Sequence, residues 1–194
     1  MKQIDRKPPI RPIFSAIIIS VIMSANIVSW VQSRAAILAH GTEIRLKTQP
    51  VDPRDLFRGD YVTLSYDIST IPVSRLVGKQ PPEGQLNRIF VRLAAGPDGL
   101  WTIREASLEK LPAKPGTVVM QSTNEKRYTS GDSMIRFVNY GIERYYVPEG
   151  QGKAIEETVN SDDLAIIVKV SDDGIGQIAR IELKGVALYE EPLY

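Results

Sequence analysis

The chain has 194 residues, of which 43% are hydrophobic and 24% charged, values close to those of ordinary globular proteins. Lys and Arg number 24 against 23 Asp and Glu, a formal net charge of +1 that argues against nucleic-acid binding. The chain has no cysteine and 1 histidine, His40. These counts exclude disulfides, thiolate zinc sites, cysteine nucleophiles and, within the main domain, a Ser-His-Asp triad.

The first predicted element is an apolar helix from Ile13 to Val31, which contains no charged residue. A helix of this length spans roughly 28 Å, close to the hydrocarbon thickness of a bilayer. Asn26 is costly in lipid and favours a partner helix or a place near the interface. We therefore predict an uncleaved transmembrane anchor at residues 13–31. A cleaved signal peptide is the main alternative, but its apolar region is usually shorter and is followed by a cleaner cleavage site.

The charges that flank this helix predict its orientation. Basic residues dominate the segment before it, with Lys2, Arg6, Lys7 and Arg11 against Asp5 alone. The positive-inside rule then leaves residues 1–12 in the cytoplasm and sends the rest across the membrane, which in a Gram-negative cell means across the inner membrane into the periplasm. A helical linker at residues 32–41 would join the anchor to a β-rich periplasmic domain at residues 42–194.

Patterns typical of β-strands dominate the rest of the chain. Alternating polar and apolar residues predict strands at Glu43–Lys47 and Tyr61–Ile68. Further strands are predicted at Ile89–Leu93, Leu100–Ala106, Thr117–Gln121, Met134–Val138, Ile142–Val147, Leu164–Val170, Gln177–Leu183 and Gly185–Tyr189. Turn residues separate them, and outside the anchor and linker Lys153–Val159 has a helical pattern. The sequence thus predicts a mainly β fold, an antiparallel β-sandwich or small barrel with one short helix.

Charged and turn-forming residues crowd the first of two dense motifs, Val51–Tyr66. Asp52 and Pro53 favour a turn, and Gly59 with Asp60 predicts a turn or bulge before the strand that starts at Tyr61. Arginines among aspartates also allow bidentate pairs that would lock such a loop internally. The candidate interaction residues in this motif are Asp52, Arg54, Asp55, Arg58, Gly59, Asp60, Tyr61 and Tyr66.

The second motif, Tyr140–Gly150, places two charged residues and two tyrosines before a Pro-Glu-Gly turn. In a strand, Glu143 and Tyr145 would point to one side, and Arg144 and Tyr146 to the other. Its candidate interaction residues are Tyr140, Gly141, Glu143, Arg144, Tyr145 and Glu149. If the two motifs met in space, Asp55, Arg58, Asp60, Glu143 and Arg144 would form a polar cluster covered by tyrosines. Nothing in the sequence forces that meeting.

These motifs resemble those of the GDYXXLXY family of bacterial membrane-anchored proteins. The family's name matches Gly59, Asp60, Tyr61, Leu64 and Tyr66, and the preceding Val51–Arg54 fits as well. With the second motif, the resemblance covers nearly the whole chain. It implies an N-terminal helix, a short linker and a strand-rich domain, and a role beside polytopic membrane proteins rather than a defined activity.

The sequence favours a non-catalytic envelope module that binds another integral membrane protein. Catalytic residue types are scarce, whereas Tyr and Arg suit interface hot spots. One alternative is a carboxylate-dependent periplasmic hydrolase acting on cell-envelope glycan, with Asp60 and Glu143 as its acid-base pair. A serine enzyme similar to signal peptidases is a third, but no serine-containing nucleophile loop follows the anchor. We assign no catalytic residue, metal site or cofactor from the sequence.

Overall fold

The computed structural model describes residues 12–49, 61–78, 86–123, 126–127, 133–136, 138–146 and 164–191. Contacts between Cα atoms divide the chain into two compact units, Met1–Ala36 and Ile37–Tyr194. The first unit consists, in its described part, of a single helix. The second unit contains all the strands of the described residues. The predicted helix at Lys153–Val159 lies outside the described residues.

Helix α1 runs without interruption from Pro12 to His40. Proline suits its first position because a helix start leaves that N–H unpaired in any case. At the other end, the N–H of Gly41 donates to the carbonyl of Ile37 at 2.8 Å and closes the last turn. Within the described part of the chain, α1 is the one helix long and apolar enough to cross a membrane, a property shared by anchors and N-terminal signal sequences.

The strands of the second unit are short and pair antiparallel, apart from one parallel bridge between Leu76 and Ala106. In the described residues they are β1 (Thr42–Gln49), β2 (Tyr61–Thr63), β3 (Ser65–Tyr66), β4 (Ile71–Pro72), β5 (Leu86–Asn87), β6 (Phe90–Ala95), β7 (Trp101–Ser107), β8 (Thr117–Gln121), β9 (Lys126–Arg127), β10 (Met134–Ile135), β11 (Arg144–Tyr146), β12 (Leu164–Val170), β13 (Gly176–Leu183) and β14 (Val186–Glu190). Two 3-10 turns, Asp67–Ser69 and Val73–Arg75, interrupt the early strands.

Two larger sheets share one hydrophobic core. The strand order is β14-β13-β12-β1-β3 in the first sheet and β7-β6-β8 in the second. The pairs β4–β10, β2–β11 and β5–β9 form smaller ladders. Core residues come from both large sheets, among them Ile44, Leu46, Ile166 and Val168 from the first and Val91, Leu93, Ala106 and Met120 from the second. The prediction of a mainly β, antiparallel fold with one N-terminal apolar helix is confirmed.

Individual strands differ from their predicted lengths where the chain changes partner. Thr117–Gln121 and Leu164–Val170 have the predicted bounds, but the single strand predicted at Tyr61–Ile68 is wrong. Residues up to Thr63 pair with β11, residues from Ser65 pair with β1, and a 3-10 turn then begins at Asp67. The strand predicted at Met134–Val138 is also shorter, ending at Ile135, and the one predicted from Ile142 begins at Arg144.

A buried ionic network reinforces the three-stranded sheet. Arg92 of β6 is the one charged residue in the described part of the core that is buried. Its guanidinium donates to the Glu105 carboxylate at 2.6 Å, to the Thr117 hydroxyl at 2.9 Å and to the Pro112 carbonyl. Lys114 adds a second cation 3.0 Å from the same carboxylate. The hydrogen bond from Arg92, and then that from Lys114, lowers the pKa of Glu105.

The turn between β12 and β13 packs tightly against β8. Gly174 in this turn has φ +83, a left-handed conformation that favours glycine. A Cβ at this position would lie 2.8 Å from the carbonyl oxygen of Val119, closer than real Cβ contacts. The carbonyl of Gly174 also accepts a hydrogen bond from the N–H of Gln121 at 3.0 Å. The turn therefore joins the two large sheets through backbone contacts that require glycine.

We expect Gly174→Ala to lower the free energy of unfolding by about 3 kcal/mol, the upper end of the cost of local backbone strain. In this variant alanine must adopt the positive φ, and its Cβ lies too close to the backbone of β8. Gly185→Ala is the matched control, because Gly185 has φ +79 but nothing lies within 4 Å of its Cβ position. Urea unfolding of the full-length protein in detergent measures both. Equal losses would show that contact with β8 contributes nothing.

Candidate functional site

The two motifs meet through direct backbone pairing of β2 with β11. The register places Arg144 opposite Thr63, Tyr145 opposite Val62 and Tyr146 opposite Tyr61. The ladder continues one step further, where the N–H of Leu64 donates to the carbonyl of Glu143 at 2.8 Å. The meeting that the sequence left open is therefore a feature of the fold. We call the residues Tyr61–Ile68 and Val138–Tyr146 together the motif junction.

Two tyrosines bind across the motif junction in opposite directions. The hydroxyl of Tyr66 donates to the carbonyl of Ile142 at 2.6 Å, and the hydroxyl of Tyr140 donates to the carbonyl of Ile68 at 2.8 Å. Both side chains are fully buried, at 0% and 1% exposure. Burial raises the pKa of both phenols, and the nearby Glu143 carboxylate raises it further. The two hydroxyls therefore stay protonated and hold the two motifs together.

Glu143 organises the turn that leads into β11. Its carboxylate accepts hydrogen bonds from the N–H groups of Tyr140 and, at 2.9 Å, of Gly141. Glu143 thus lies just before β11, one residue outside the strand in which the sequence analysis placed it, and its carboxylate binds the preceding turn. From Arg144 the alternation holds, since Arg144 is exposed and Tyr145 is buried.

We expect Glu143→Ala to lower the free energy of unfolding by about 2 kcal/mol, because two backbone N–H groups lose their acceptor. Glu143→Gln should recover only part of this loss, because its single amide oxygen can replace one of the two acceptors while its NH2 group faces the other N–H. Urea titration of the two variants beside the unmodified protein gives the comparison. A Gln variant as stable as the unmodified protein would contradict the requirement for two acceptor oxygens.

Tyr145 connects the motif junction to the C-terminal strand. Its hydroxyl donates to the carboxylate of Glu191 at 3.0 Å, and its ring meets Tyr189 edge-on with 5.5 Å between centroids. Burial raises the pKa of Tyr145, followed by the hydrogen bond to Glu191. The side chain is therefore an internal link between β11 and the end of β14.

The described candidates at the junction thus divide into buried and exposed groups. Tyr66, Tyr140 and Tyr145 lie inside, whereas Gly141 and Arg144 are exposed. Across the ladder from Arg144, Thr63 is exposed as well. The outer face of the β2–β11 pair therefore presents Arg144 and Thr63 beside each other on a backbone that the tyrosines hold in place.

The remaining candidates fall outside this description. They are Asp52, Arg54, Asp55, Arg58, Gly59, Asp60 and Glu149, together with the side chain of Tyr61. The predicted polar cluster around Asp60 therefore stays a prediction. Its described members are Glu143, which binds backbone N–H groups, and Arg144, which is exposed.

A pocket that the sequence analysis did not foresee lies away from the junction. It has a volume of about 260 Å³, and its lining includes Phe90, Arg92, Lys110 and Asp173 but no motif residue. Lys110 pairs with Asp173 at 3.3 Å, and Arg92 is held by Glu105. No local signal marks these residues, because they come from strands and turns distant in sequence. Within the described ranges, no group of His, Cys, Asp and Glu side chains is arranged to hold a metal.

Comparison with known proteins identifies a family for this chain. The family model described as GDYXXLXY protein matches residues 23–181, which is most of the chain and includes the whole motif junction. No curated protein and no solved structure matches the chain.

Proposed function

We propose that this chain, which belongs to the GDYXXLXY family, is a non-catalytic membrane-anchored module that binds another integral membrane protein. In this proposal α1 is retained as the anchor, residues 1–12 lie in the cytoplasm, and the β-rich unit lies in the periplasm of a bacterial cell. The basic residues that precede α1 support this orientation through the positive-inside rule.

The observation that carries the proposal is how the motif junction uses its polar groups. The hydroxyls of Tyr66 and Tyr140 bind backbone carbonyls, and the carboxylate of Glu143 binds backbone N–H groups. None of these groups lines the described pocket, whose walls come from other elements. Groups engaged in this way hold a surface in shape and are not available as acid, base or nucleophile.

A rigid junction suits a binding surface for a physical reason. Association costs conformational entropy when side chains and loops must be ordered, and a surface that is already fixed avoids much of that cost. Arg144 stands exposed on this fixed backbone, and arginine is one of the residue types enriched in interface hot spots. The exposed face of β2–β11 is therefore the surface that we assign to the partner.

The exposed apolar side chains of α1 favour a membrane environment or a partner helix within the membrane. Its apolar side chains are largely exposed, including Ile17 at 55%, Ile27 at 64% and Trp30 at 66%. An apolar surface of this extent on a soluble protein would promote aggregation. Lipid, or lipid together with another transmembrane helix, would cover this apolar surface.

In-cell photocrosslinking tests the proposed partner. A photoreactive amino acid at Thr63 or Arg144 should trap a discrete integral membrane protein, because these positions share the exposed face. Thr102 on β7 is the control position, exposed but outside the junction. The adduct should be lost in Asp60→Ala, and Tyr61 and Glu149 are the next positions to vary. A folded protein that yields no adduct at Thr63 and Arg144 would contradict the proposal.

A carboxylate-dependent hydrolase acting on envelope glycan is the alternative that the sequence left open. No described contact favours it, since both oxygens of Glu143 already accept backbone hydrogen bonds.

A further inference from the structure

Asn26 belongs to a row of six residues along α1 that are spaced at alternating intervals of four and three. They are Ser15, Ile19, Ile22, Asn26, Ser29 and Ser33. This spacing is that of the a and d positions of a heptad, which lie on one face of a helix and form the contact of a left-handed helix pair. We call these residues the α1 seam. None of these six side chains is buried.

Asn26 occupies the centre of the α1 seam with part of its amide unused. Its Nδ2 donates to the carbonyl of Ile22 at 2.9 Å, one turn earlier in the same helix. Among the described residues nothing binds its Oδ1 or its second N–H. An amide without partners is costly in hydrocarbon, where water cannot replace them. The side chain of Asn26 therefore calls for a donor and an acceptor from outside its own helix.

Two neighbouring contacts place Asn26 within the apolar region. The guanidinium of Arg34 lies 5.2 Å from the ring centre of Trp30, a pairing suited to the membrane interface. Asn26 lies one helical turn before Trp30, on the apolar side. Ser33, which is nearer the charged end, already donates to the carbonyl of Trp30 at 2.8 Å. Asn26 is therefore the residue of the α1 seam that most needs a hydrogen-bond partner.

We propose that the α1 seam is the contact surface of a parallel homodimer in the membrane. This inference rests on the proposed function, in which α1 is an uncleaved anchor. Copies inserted with the same orientation are parallel, so each seam residue faces its equivalent across a two-fold axis. A primary amide carries both donor and acceptor, so two copies of Asn26 satisfy each other. The small Ser15, Ser29 and Ser33 allow close approach of the helices.

The composition of the chain supplies a direct test, because it contains no cysteine. A single introduced thiol in the full-length protein reports on its own position. Ser29→Cys places the thiol on the α1 seam, and Ser24→Cys, a nearly isosteric control, places it on the opposite face. Membranes that contain either variant are treated with a mild oxidant, and the dimer is separated by non-reducing electrophoresis.

We expect a disulfide-linked dimer from Ser29→Cys and little from Ser24→Cys. Adding Asn26→Leu to Ser29→Cys should weaken association roughly threefold to thirtyfold, the range measured for interhelical hydrogen bonds of polar side chains. Equal dimer from both positions, or dimer unaffected by Asn26→Leu, would overturn the proposal. A heavier adduct at Ser29→Cys without homodimer would also overturn it and would identify a different transmembrane partner.

Carbonate extraction of the same membranes separates this inference from the proposed function. Full-length chain that stays in the membrane but shows no crosslink specific to the seam refutes the homodimer and leaves the anchored module intact. Chain released in a form shortened at its N-terminus refutes the anchor itself, and the homodimer with it.

Discussion

Replacing Glu105 with Gln should lower the free energy of unfolding by on the order of 3 kcal/mol, because it leaves the buried Arg92 cation without its counter-charge. The variant keeps the shape of the side chain and an acceptor oxygen, so the loss reports the charge rather than packing. Glu105 is 22% exposed, and partial access of water places the expected loss at the lower end of the range for broken buried pairs. Urea unfolding of the full-length protein measures it.

The same pair makes stability depend on pH in a defined direction. The pKa of Glu105 is lowered in the folded protein, while the unfolded value is about 4.3. Its contribution is therefore fully present above about pH 5 and is lost as pH falls through the folded pKa. The difference in free energy of unfolding between the parent protein and Glu105→Gln should therefore decrease as the pH falls below about 5. Glu109→Gln is the control for the loss of one negative charge, since the exposed Glu109 carboxylate has no partner among the described residues.

Removing both junction hydroxyls should have the second large effect. Tyr66→Phe and Tyr140→Phe keep the rings but leave the buried carbonyls of Ile142 and Ile68 unpaired, which costs about 1–3 kcal/mol each. The double variant should lose less than the sum, because both bonds fasten the same two segments and the first loss lets them separate. A double-mutant cycle by urea titration measures the coupling.

Tyr145→Phe provides the comparison within the same junction. Its hydroxyl binds a carboxylate, that of Glu191, which is only partly buried and can accept a hydrogen bond from water instead. The expected loss is at most about 1 kcal/mol. Equal losses at Tyr66, Tyr140 and Tyr145 would show that the surroundings of the rings determine the loss of stability. The hydrogen bonds to buried carbonyls would then not be its cause.

The sequence predicts the strands that keep one partner and fails where a strand changes partner. Leu164–Val170 is almost continuously apolar because it lies between two neighbours at the centre of the largest sheet, and its bounds are predicted correctly. Tyr61–Ile68 has the alternation of a single strand, yet Thr63 and Ser65 pair with different strands. Alternation reports which face is buried and carries no information about which strand lies alongside.

At the motif junction, too, some features can be predicted from the sequence and others cannot. The two motifs can be identified from sequence because turn residues, charges and tyrosines are dense there. Their roles depend on contacts across 76 and 72 residues, from Tyr66 to Ile142 and from Tyr140 to Ile68, which no local pattern encodes. The part played by Glu143 is more local, since its carboxylate binds the N–H groups of residues only two and three positions earlier in the chain.

The position of β1 in the largest sheet has a consequence for the order of folding. β1 lies between β12 and β3, and the hydroxyl of Thr48 reaches the carbonyl of Leu164 across 116 residues. A chain that emerges from its N-terminus first must hold Ile44 and Leu46 unpaired until β12 appears, and contacts of such long range close slowly. β1 is therefore synthesised first, but it pairs along most of its length only after β12 has been made. Chains truncated before Leu164 should be substrates for chaperones and proteases rather than smaller working versions of the protein.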